Sequence, residues 1–274
     1  IAVTLSWGLL AGIKCLTAKY NWWGQTSTHH DARKITRLGG VAIWLTLLIV
    51  FLGFIDITPP LQGLLTGMIL MFVMGLVDDI YNLPAVVKLG WQLAAAIIAV
   101  SFGLHIGQVT NPLGGVIILP LWWDYILSVL WLLVVVNAIN MLDGLDGLSA
   151  GATSIFAIIL FFLSLFVIVN QPATATMAVI LLGTMLGYLY WNWHPAKIFM
   201  GDSGSNMVGF VIGALAIVSG AKIATTALVL GFPILDLVWA AYRRVRQGKS
   251  PFAADREHLH HRLLDAGVSH RNAV

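Results

Sequence analysis

Two adjacent carboxylates, Asp78 and Asp79, stand at the end of a long apolar run. On a helix, neighbouring side chains point about 100° apart, so the two carboxylates are expected to take separate roles and not to chelate one ion together. Acidic side chains at a membrane boundary are costly to desolvate and usually mark function. A helix end at which both carboxylates simply reach water is the alternative.

A second motif combines amide and carboxylate oxygens between residues 137 and 147. Because residues three apart are neighbours on a helix, Asn140 and Asp143 can converge. The glycines Gly144 and Gly147 allow the backbone to bend or to approach a ligand closely. Oxygens of this kind suit a hard cation such as Mg²⁺, which keeps several waters and shares its site with substrate phosphates.

A third motif, residues 192–205, contains Gly-Asp202-Ser-Gly-Ser directly before an apolar run. Such a run offers backbone N–H donors together with a carboxylate, the combination that holds a metal-bridged phosphate at a helix N-terminus. A capping turn uses similar residues. The Gly-x-Gly-Asp motif of intramembrane aspartyl proteases is a further alternative, but Phe199 stands at its first glycine position.

Three histidines and two arginines follow in residues 256–262. If this segment is helical, His258, His261 and Arg262 share one face, which suits binding of diphosphate oxygens or placement of a proton donor. Three histidines can also form a zinc site, although the hard Asp and Asn oxygens of the other motifs favour Mg²⁺. A solvated basic loop is the remaining alternative.

The elements that carry these motifs are expected to be membrane-spanning helices. Hydrophobic residues make up 59% of the chain and charged residues 10%, with a mean hydropathy of +0.89, whereas a soluble domain carries about 25% charged residues. The sequence therefore predicts an all-α polytopic membrane protein. Apolar runs long enough to cross a bilayer predict about nine spans, at residues 1–19, 39–56, 60–80, 86–106, 124–142, 147–169, 174–191, 204–221 and 223–243.

Lys and Arg residues concentrate in or beside alternate loops, with Lys222 as the exception. Since cationic loops stay on the cytoplasmic side, the face that carries all four motifs is assigned to the cytoplasm. On the outer side, turn residues within 107–123 predict a short β-hairpin, and Trp122, Trp123 and Tyr125 are expected to anchor the interface. Asp56, His105 and Asp124 receive no function, and Asp236 is expected to face the bundle interior.

Composition also limits the classes of partner. The single cysteine, Cys15, excludes an internal disulfide. The pI of about 9.1 comes from dispersed residues beside the membrane, which favours anionic lipid headgroups and phosphorylated substrates over nucleic acid. The absence of long polar stretches predicts one domain over residues 1–274, with a His/Arg-rich cytoplasmic loop at 244–274. We expect the chain to be trimmed at its N-terminus and to lack C-terminal helices.

Four motifs in this order resemble the polyprenyl-phosphate N-acetylhexosamine-1-phosphate transferase superfamily. They are Val-Asp78-Asp79, the Asn137–Gly147 segment, the Pro195–Ser205 segment and the Arg256–Leu263 segment. The His-x-His-His-Arg-Leu form of the last motif resembles the WecA and TagO branch, whereas the MraY branch typically has three consecutive histidines. The resemblance implies ten or eleven helices in a complete chain, a cytoplasmic-facing active site in the inner or plasma membrane, and room for a homodimer.

The reaction implied by this resemblance begins cell-envelope polysaccharide synthesis. The phosphate of undecaprenyl or decaprenyl phosphate attacks the β-phosphorus of a UDP-N-acetylhexosamine, with UDP-GlcNAc as the expected donor, and UMP is released. Mg²⁺, for which Mn²⁺ can substitute, would neutralise the diphosphate. The implied metal ligands are Asp202 and Asn140. The implied catalytic residues are Asp78, Asp79, Asp143, His258, His260 and His261.

Substrate contacts are also implied by the resemblance. Asp78 and Asp79 would orient or deprotonate the lipid phosphate, which Lys88 would hold as a point charge. The residues implied to contact substrate are Lys88, Asn137, Asp146, Asn192, Phe199, Arg256, Arg262, Arg33 and Lys34. Of these, Phe199, Asn192 and Asp146 match positions that contact uracil. The first loop has the family's Arg-Lys and Gly-Gly pairs but lacks the usual His and Pro between them.

Three other classes remain as alternatives. A UbiA-type prenyltransferase is also Mg²⁺-dependent, but its Asn and Asp residues are spaced by four, whereas Asn140, Asp143 and Asp146 are spaced by three. A CDP-alcohol phosphotransferase would have Ala-Arg shortly after Asp-Gly. An ion-coupled transporter would carry acids deep in its spans, where only Asp236 is predicted to lie.

Overall fold

A computed structural model describes residues 1–20, 35–110, 114–166, 170–219 and 223–248. Within these ranges the chain forms helices and one two-stranded sheet. The helices are α1 (Ala2–Tyr20), α2 (Gly39–Phe54), α3 (Pro59–Tyr81), α4 (Ala85–Ser101), α5 (Leu121–Leu142), α6 (Leu148–Leu165), α7 (Pro172–Asn192), α8 (Gly201–Val218), α9 (Ile223–Val229) and α10 (Gly231–Arg246); the strands are β1 (Gln108–Thr110) and β2 (Val116–Ile118).

Five of these helices, α3, α5, α6, α7 and α8, are long and apolar enough to cross a membrane, and α2 and α4 are shorter apolar helices. Their apolar faces are only partly buried in the bundle, and the exposed part carries large side chains such as Ile97, Ile155 and Phe162. A lipid environment removes the cost of exposing such surface. The protein is therefore an all-α, multi-pass membrane protein, as the composition predicts.

The ninth predicted span, residues 223–243, is wrong as a single helix. The chain forms two helices, α9 and α10, which are separated at Leu230. Pro233 supplies the physical reason, since it has no N–H to donate to the carbonyl of Val229, as a continuous helix would require. The second helix also carries Asp236, which is half-buried.

Helix α8 lies at the centre of the bundle, and every residue from Ser203 to Ile217 is buried. Glycines on the surrounding helices permit this close packing. A Cβ atom added to Gly75 of α3 would lie 2.3 Å from the carbonyl oxygen of Asp202, and one added to Gly40 of α2 would lie 2.4 Å from the backbone nitrogen of Gly204. The start of α8 is thus fixed by direct backbone contact with two neighbouring helices.

The predicted β-hairpin is confirmed: β1 pairs antiparallel with β2, with Val109 opposite Ile117. Asp124, for which no function is predicted, is buried beneath it. Its carboxylate accepts a hydrogen bond from the backbone nitrogen of Gly107 at 2.8 Å and lies 2.6 Å from Nδ1 of His105. Asp124 therefore ties the start of α5 to the segment that enters the hairpin.

Candidate active site

The described parts of the first three motifs meet at one end of the bundle. They lie at the C-terminal end of α3, in the turn after α5 and at the N-terminal end of α8, and the first turn of α4 adds Lys88. The segment before α2 joins them, since Thr36 forms a parallel bridge with Ile198. The polar groups that the sequence assigns to one membrane face are therefore close in space.

Asp79 caps helix α8. Its Oδ1 accepts a hydrogen bond from the backbone nitrogen of Asp202 at 2.9 Å, and its Oδ2 accepts one from the nitrogen of Ser203 at 3.0 Å. The sequence analysis expected these N–H groups to face a phosphate, which is wrong for these two. A helix N-terminus leaves unpaired N–H groups and attracts negative charge, and the neighbouring carboxylate satisfies both.

Gly201 makes this cap possible because only a residue without a side chain fits there. It has a φ of +73°, and an added Cβ would lie 2.6 Å from the carbonyl oxygen of Arg37 and 2.7 Å from Oδ2 of Asp79. A left-handed conformation of this kind favours glycine. The glycine before Asp202 is thus required by the backbone.

Asp78 and Lys88 form an ion pair that joins α3 to α4. The Asp78 side chain is 1% exposed, and its Oδ1 also accepts a hydrogen bond from the nitrogen of Leu83 at 2.7 Å. Lys88 Nζ lies 4.0 Å from Oδ2 of Asp202. The ammonium group is therefore placed between two carboxylates, and Asp78 and Asp79 take separate roles, as their angular separation predicts.

Asn140 is held beside the first turn of α8. Its Oδ1 accepts a hydrogen bond from the Ser205 hydroxyl at 2.7 Å, and Ser205 lies three residues after Asp202, on the same side of the helix. Among the residues that the structure describes, no group of three or more His, Cys, Asp or Glu side chains converges as a complete metal site. The hard oxygens of Asp202 and Asn140 do fit Mg²⁺ that is completed by waters and substrate phosphates.

Asp143, directly after α5, lies in a strongly acidic environment. Burial raises the pKa of its carboxyl well above the usual value, and repulsion from Asp202 and Asp79 raises it further, while attraction to Arg37 opposes these effects. An excess of carboxylates of this kind attracts cations. Arg37 was missed in the sequence, although its charge and its position two residues before Gly39-Gly40 were available as a signal.

Asp146 and Asn192 connect two loops of the site. The Asn192 amide is buried, and it accepts from the nitrogen of Gly147 at 2.8 Å and donates to the carbonyl of Ile198 at 3.1 Å. Oδ2 of Asp146 accepts from the nitrogen of Ala196 at 3.0 Å. The structure thus brings together two of the three residues expected to contact uracil. The side-chain oxygen and nitrogen of Asn192 are both hydrogen-bonded to the protein backbone.

Phe199 is the third residue expected at uracil. Its ring is partly exposed, and its backbone is fixed: its nitrogen donates to the carbonyl of Thr36 at 2.9 Å, and its carbonyl accepts from the nitrogen of Gly39 at 3.0 Å. These contacts bind the loop before α8 to the segment that opens α2.

Asn137, expected to contact substrate, lies in a chain of amide groups inside the bundle. Its Nδ2 donates to Oε1 of Gln92 at 2.9 Å, Gln92 Nε2 donates to Oδ1 of Asn206 at 2.9 Å, and Asn206 Nδ2 donates to the carbonyl of Asp202 at 2.8 Å. Sequence analysis missed Gln92 and Asn206, both buried. Their polar side chains within apolar helices were the available signal.

The remaining predicted site residues lie outside the described part of the chain. These are Arg33, Lys34, Arg256, His258, His260, His261 and Arg262. Their predicted contacts with the diphosphate and sugar stay predictions.

Comparison with known proteins agrees with this arrangement. Residues 61–220 match the family model described as glycosyl transferase family 4. The chain is 35% identical to the probable undecaprenyl-phosphate N-acetylglucosaminyl 1-phosphate transferase of Bacillus subtilis, over 89% of this chain and 70% of that protein. It is 36% identical to the decaprenyl-phosphate N-acetylglucosaminephosphotransferase of Mycobacterium leprae, over 87% and 68%.

A more distant relative is the undecaprenyl-phosphate alpha-N-acetylglucosaminyl 1-phosphate transferase of Escherichia coli K12, which is 29% identical over 87% of this chain and 68% of that protein. The family match includes the ends of α3, α5 and α8, on which Asp78, Asn140 and Asp202 converge. On these grounds, the chain belongs to glycosyl transferase family 4.

Proposed function

We propose that the protein transfers GlcNAc-1-phosphate from UDP-GlcNAc to undecaprenyl or decaprenyl phosphate and releases UMP. The observation that carries this proposal is the convergence of Asp78, Lys88, Asp202 and Asn140 at one end of a membrane bundle. The relatives whose names state this kind of transfer cover most of the chain.

The reaction forms one P–O bond and breaks another. An oxygen of the polyprenyl phosphate attacks the β-phosphorus of the nucleotide sugar, and the bond from that phosphorus to the bridging oxygen breaks, so that UMP leaves with the electron pair. Lys88 is proposed to hold a phosphate oxygen with its ammonium group, which the ion pair with Asp78 positions at the site. Asp78, in direct contact with Lys88, is the candidate base if the lipid phosphate carries a proton.

Asp202 and Asn140 are the residues proposed to hold Mg²⁺, or Mn²⁺ in its place. When bound there, the ion neutralises the donor diphosphate and favours departure of UMP. Asp79 fixes the first turn of α8 and therefore the position of Asp202. The His258–Arg262 segment is proposed to close over the diphosphate and the sugar.

The site is proposed to face the cytoplasm from the inner or plasma membrane. Lys88 lies in the site and Lys197 in the loop before α8, and cationic residues beside spans are retained on the cytoplasmic side. The reaction would then be the first membrane step of cell-envelope polysaccharide synthesis. A homodimer is part of the same proposal.

The decisive experiment is a transfer assay with purified full-length protein. With labelled UDP-GlcNAc, polyprenyl phosphate and Mg²⁺, we expect labelled lipid diphosphate sugar and an equal amount of UMP. Chelation of Mg²⁺ is expected to stop both products, and Asp202→Asn is expected to abolish turnover while helical content is retained. Absence of lipid product and UMP with every UDP-amino sugar in a panel would contradict the proposal, and an unchanged Asp202→Asn rate would remove Asp202 from the metal site.

A further inference from the structure

Two lysines from distant parts of the chain lie over one indole ring. Lys14 Nζ, from α1, is 5.2 Å from the centre of the Trp191 ring, and Lys197 Nζ, from the loop before α8, is 5.9 Å from the same ring. Both distances fall in the range of cation–π contact. Within the described residues neither lysine has a carboxylate partner, so two positive charges are gathered here without a counter-ion from that part of the protein.

Trp191 supplies the ring that both ammonium groups contact. The residue is 9% exposed and its Nε1 is buried, so its part here is that shared contact. Two ammonium groups beside one ring offer several N–H donors, which complement the oxygens of a phosphate group.

An apolar cleft of about 480 Å³ opens beside this cluster and has Lys197 in its wall. Leu186, Tyr190 and Trp193 line it and are 43%, 58% and 64% exposed. Their spacing of four and three residues places them on one face of α7, turned away from the bundle. In a membrane protein a face of this composition meets lipid.

We propose that Lys14 and Lys197, both in contact with the Trp191 ring, bind the phosphate headgroup of an anionic membrane phospholipid, with part of an acyl chain in the adjoining cleft. The two positive charges indicate an anionic headgroup, and the exposed apolar wall of the cleft indicates that the ligand also carries an acyl chain. The site is separate from the cluster of Asp78, Lys88 and Asp202.

Occupancy of this site would stabilise the loop that leads to the active site. The backbone nitrogen of Lys197 donates to the carbonyl of Trp191 at 2.8 Å, and the next residue, Ile198, is bridged to Thr36. A lipid bound to Lys197 would therefore restrain this turn between Trp191 and Ile198.

The chain supplies a matched control in Lys19. This lysine lies on the same helix as Lys14, carries the same charge and is exposed, but its Nζ lies over the ring of Tyr20 at 5.3 Å and not over Trp191. If lipid binding came only from a general attraction between basic residues and an anionic membrane, substitution of Lys14 and of Lys19 would weaken it equally. A specific site at Trp191 would depend on Lys14 and not on Lys19.

Native mass spectrometry of the full chain in neutral detergent, titrated with phosphatidylglycerol, tests the proposal. In Lys14→Gln/Lys197→Gln we expect the apparent Kd of the first bound lipid to rise about thirtyfold, as for the loss of two lysine–phosphate contacts. Lys19→Gln is expected to stay near the wild-type value. Lys14→Arg/Lys197→Arg, which retains both charges, is expected to bind the lipid. Its binding would show that substitution at these two positions does not by itself abolish binding through misfolding.

Four results would overturn the site. They are unchanged binding in the double Gln variant, an equal loss in Lys19→Gln, loss of binding in the double Arg variant, and equally tight binding of zwitterionic phosphatidylcholine with the same chains. Inorganic phosphate is the final comparison: failure to displace phosphatidylglycerol is expected, and full displacement would show a site for free anions and not for lipid.

Discussion

At the scale of single residues, identical carboxylates have different tasks because their neighbours differ. Asp78 is paired with Lys88, whereas the adjacent Asp79 accepts two backbone hydrogen bonds at the start of α8. Asp78 therefore belongs to the charged part of the site, whereas Asp79 fixes the backbone on which Asp202 is placed. The sequence separated the two directions but did not identify the partners of Asp79, which lie more than a hundred residues away.

Asp79→Ala is expected to lower the stability of the protein. The substitution leaves the N–H groups of Asp202 and Ser203 without their acceptor, and loss of a helix cap costs about 0.5–2 kcal/mol. Thermal unfolding in detergent, followed by circular dichroism, should show a lower Tm. Asp56→Ala is a suitable control because Asp56 is an exposed carboxylate outside this site; equal Tm values for the two variants would contradict the capping role.

Gln92→Leu tests the amide chain that ends at Asp202. The variant keeps a side chain of similar size but removes its amide, which leaves an Asn137 donor without that acceptor and Oδ1 of Asn206 without its donor. Each buried unpaired group costs roughly 1–3 kcal/mol, and we expect kcat to fall about tenfold with a smaller change in the KM for the donor.

The Gln92→Leu result is read from steady-state kinetics at saturating Mg²⁺. Gln92→Glu is the comparison because it keeps an acceptor for Asn137 and removes the donor to Asn206. A kcat that equals wild type in both variants, with normal Tm, would show that the amide chain does not position Asp202.

At the scale of helices, the location of the site depends on how closely α3, α2 and α8 approach. Gly75 and Gly40 contact the backbone of α8 at Asp202 and Gly204. Small residues at such crossings are the usual means of close helix packing in membranes. At α9 and α10 the deciding residue is a proline and not a glycine. The sequence predicted one span there, and Pro233 divides it into two helices.

Gly75→Ala should separate α3 from α8. Its new methyl group would lie 2.3 Å from the carbonyl oxygen of Asp202, so the helices must move, and overpacking of this kind costs about 1–3 kcal/mol. We expect a lower Tm and a reduced transfer rate. Gly12→Ala is the matched control on α1, since an added Cβ there meets nothing within 4 Å; similar losses in both variants would contradict the packing role.

At the scale of the whole molecule, the bundle has one end with the β-hairpin and an opposite end with the acidic site. Both ends are built around buried carboxylates, Asp124 beneath the hairpin and Asp78 in the site. The orientation proposed from Lys and Arg positions puts the hairpin outside the cell.

Cysteine labelling checks this orientation. In a Cys15→Ser background, which removes the only cysteine of the chain, Val116→Cys lies in the hairpin and Gln247→Cys lies after α10, both at exposed positions. A maleimide that does not cross membranes is expected to label residue 116 in intact cells and residue 247 only after permeabilisation. The reverse pattern would invert the proposed topology.

Most of the fold was predictable from the sequence because membrane helices are encoded locally. A long apolar run must satisfy its backbone hydrogen bonds within itself, so the bounds of α3, α5 and α7 are close to those predicted. The hairpin was likewise marked by turn residues between Gly107 and Trp123. The break at Leu230 was not recognised, although Pro233 was visible within the run.

By itself, the sequence determined that this is a multi-pass membrane protein, because hydropathy depends on the composition of each segment. It also predicted that the chemical motifs lie on one face, and the described parts of the first three do meet at one end of the bundle. Only the tertiary structure decided which groups meet: Asp79 with the start of α8, Lys88 between Asp78 and Asp202, and Gln92 with Asn206. These contacts join residues far apart in the chain, and they depend on which helix faces pack together. No local pattern in the sequence encodes that choice.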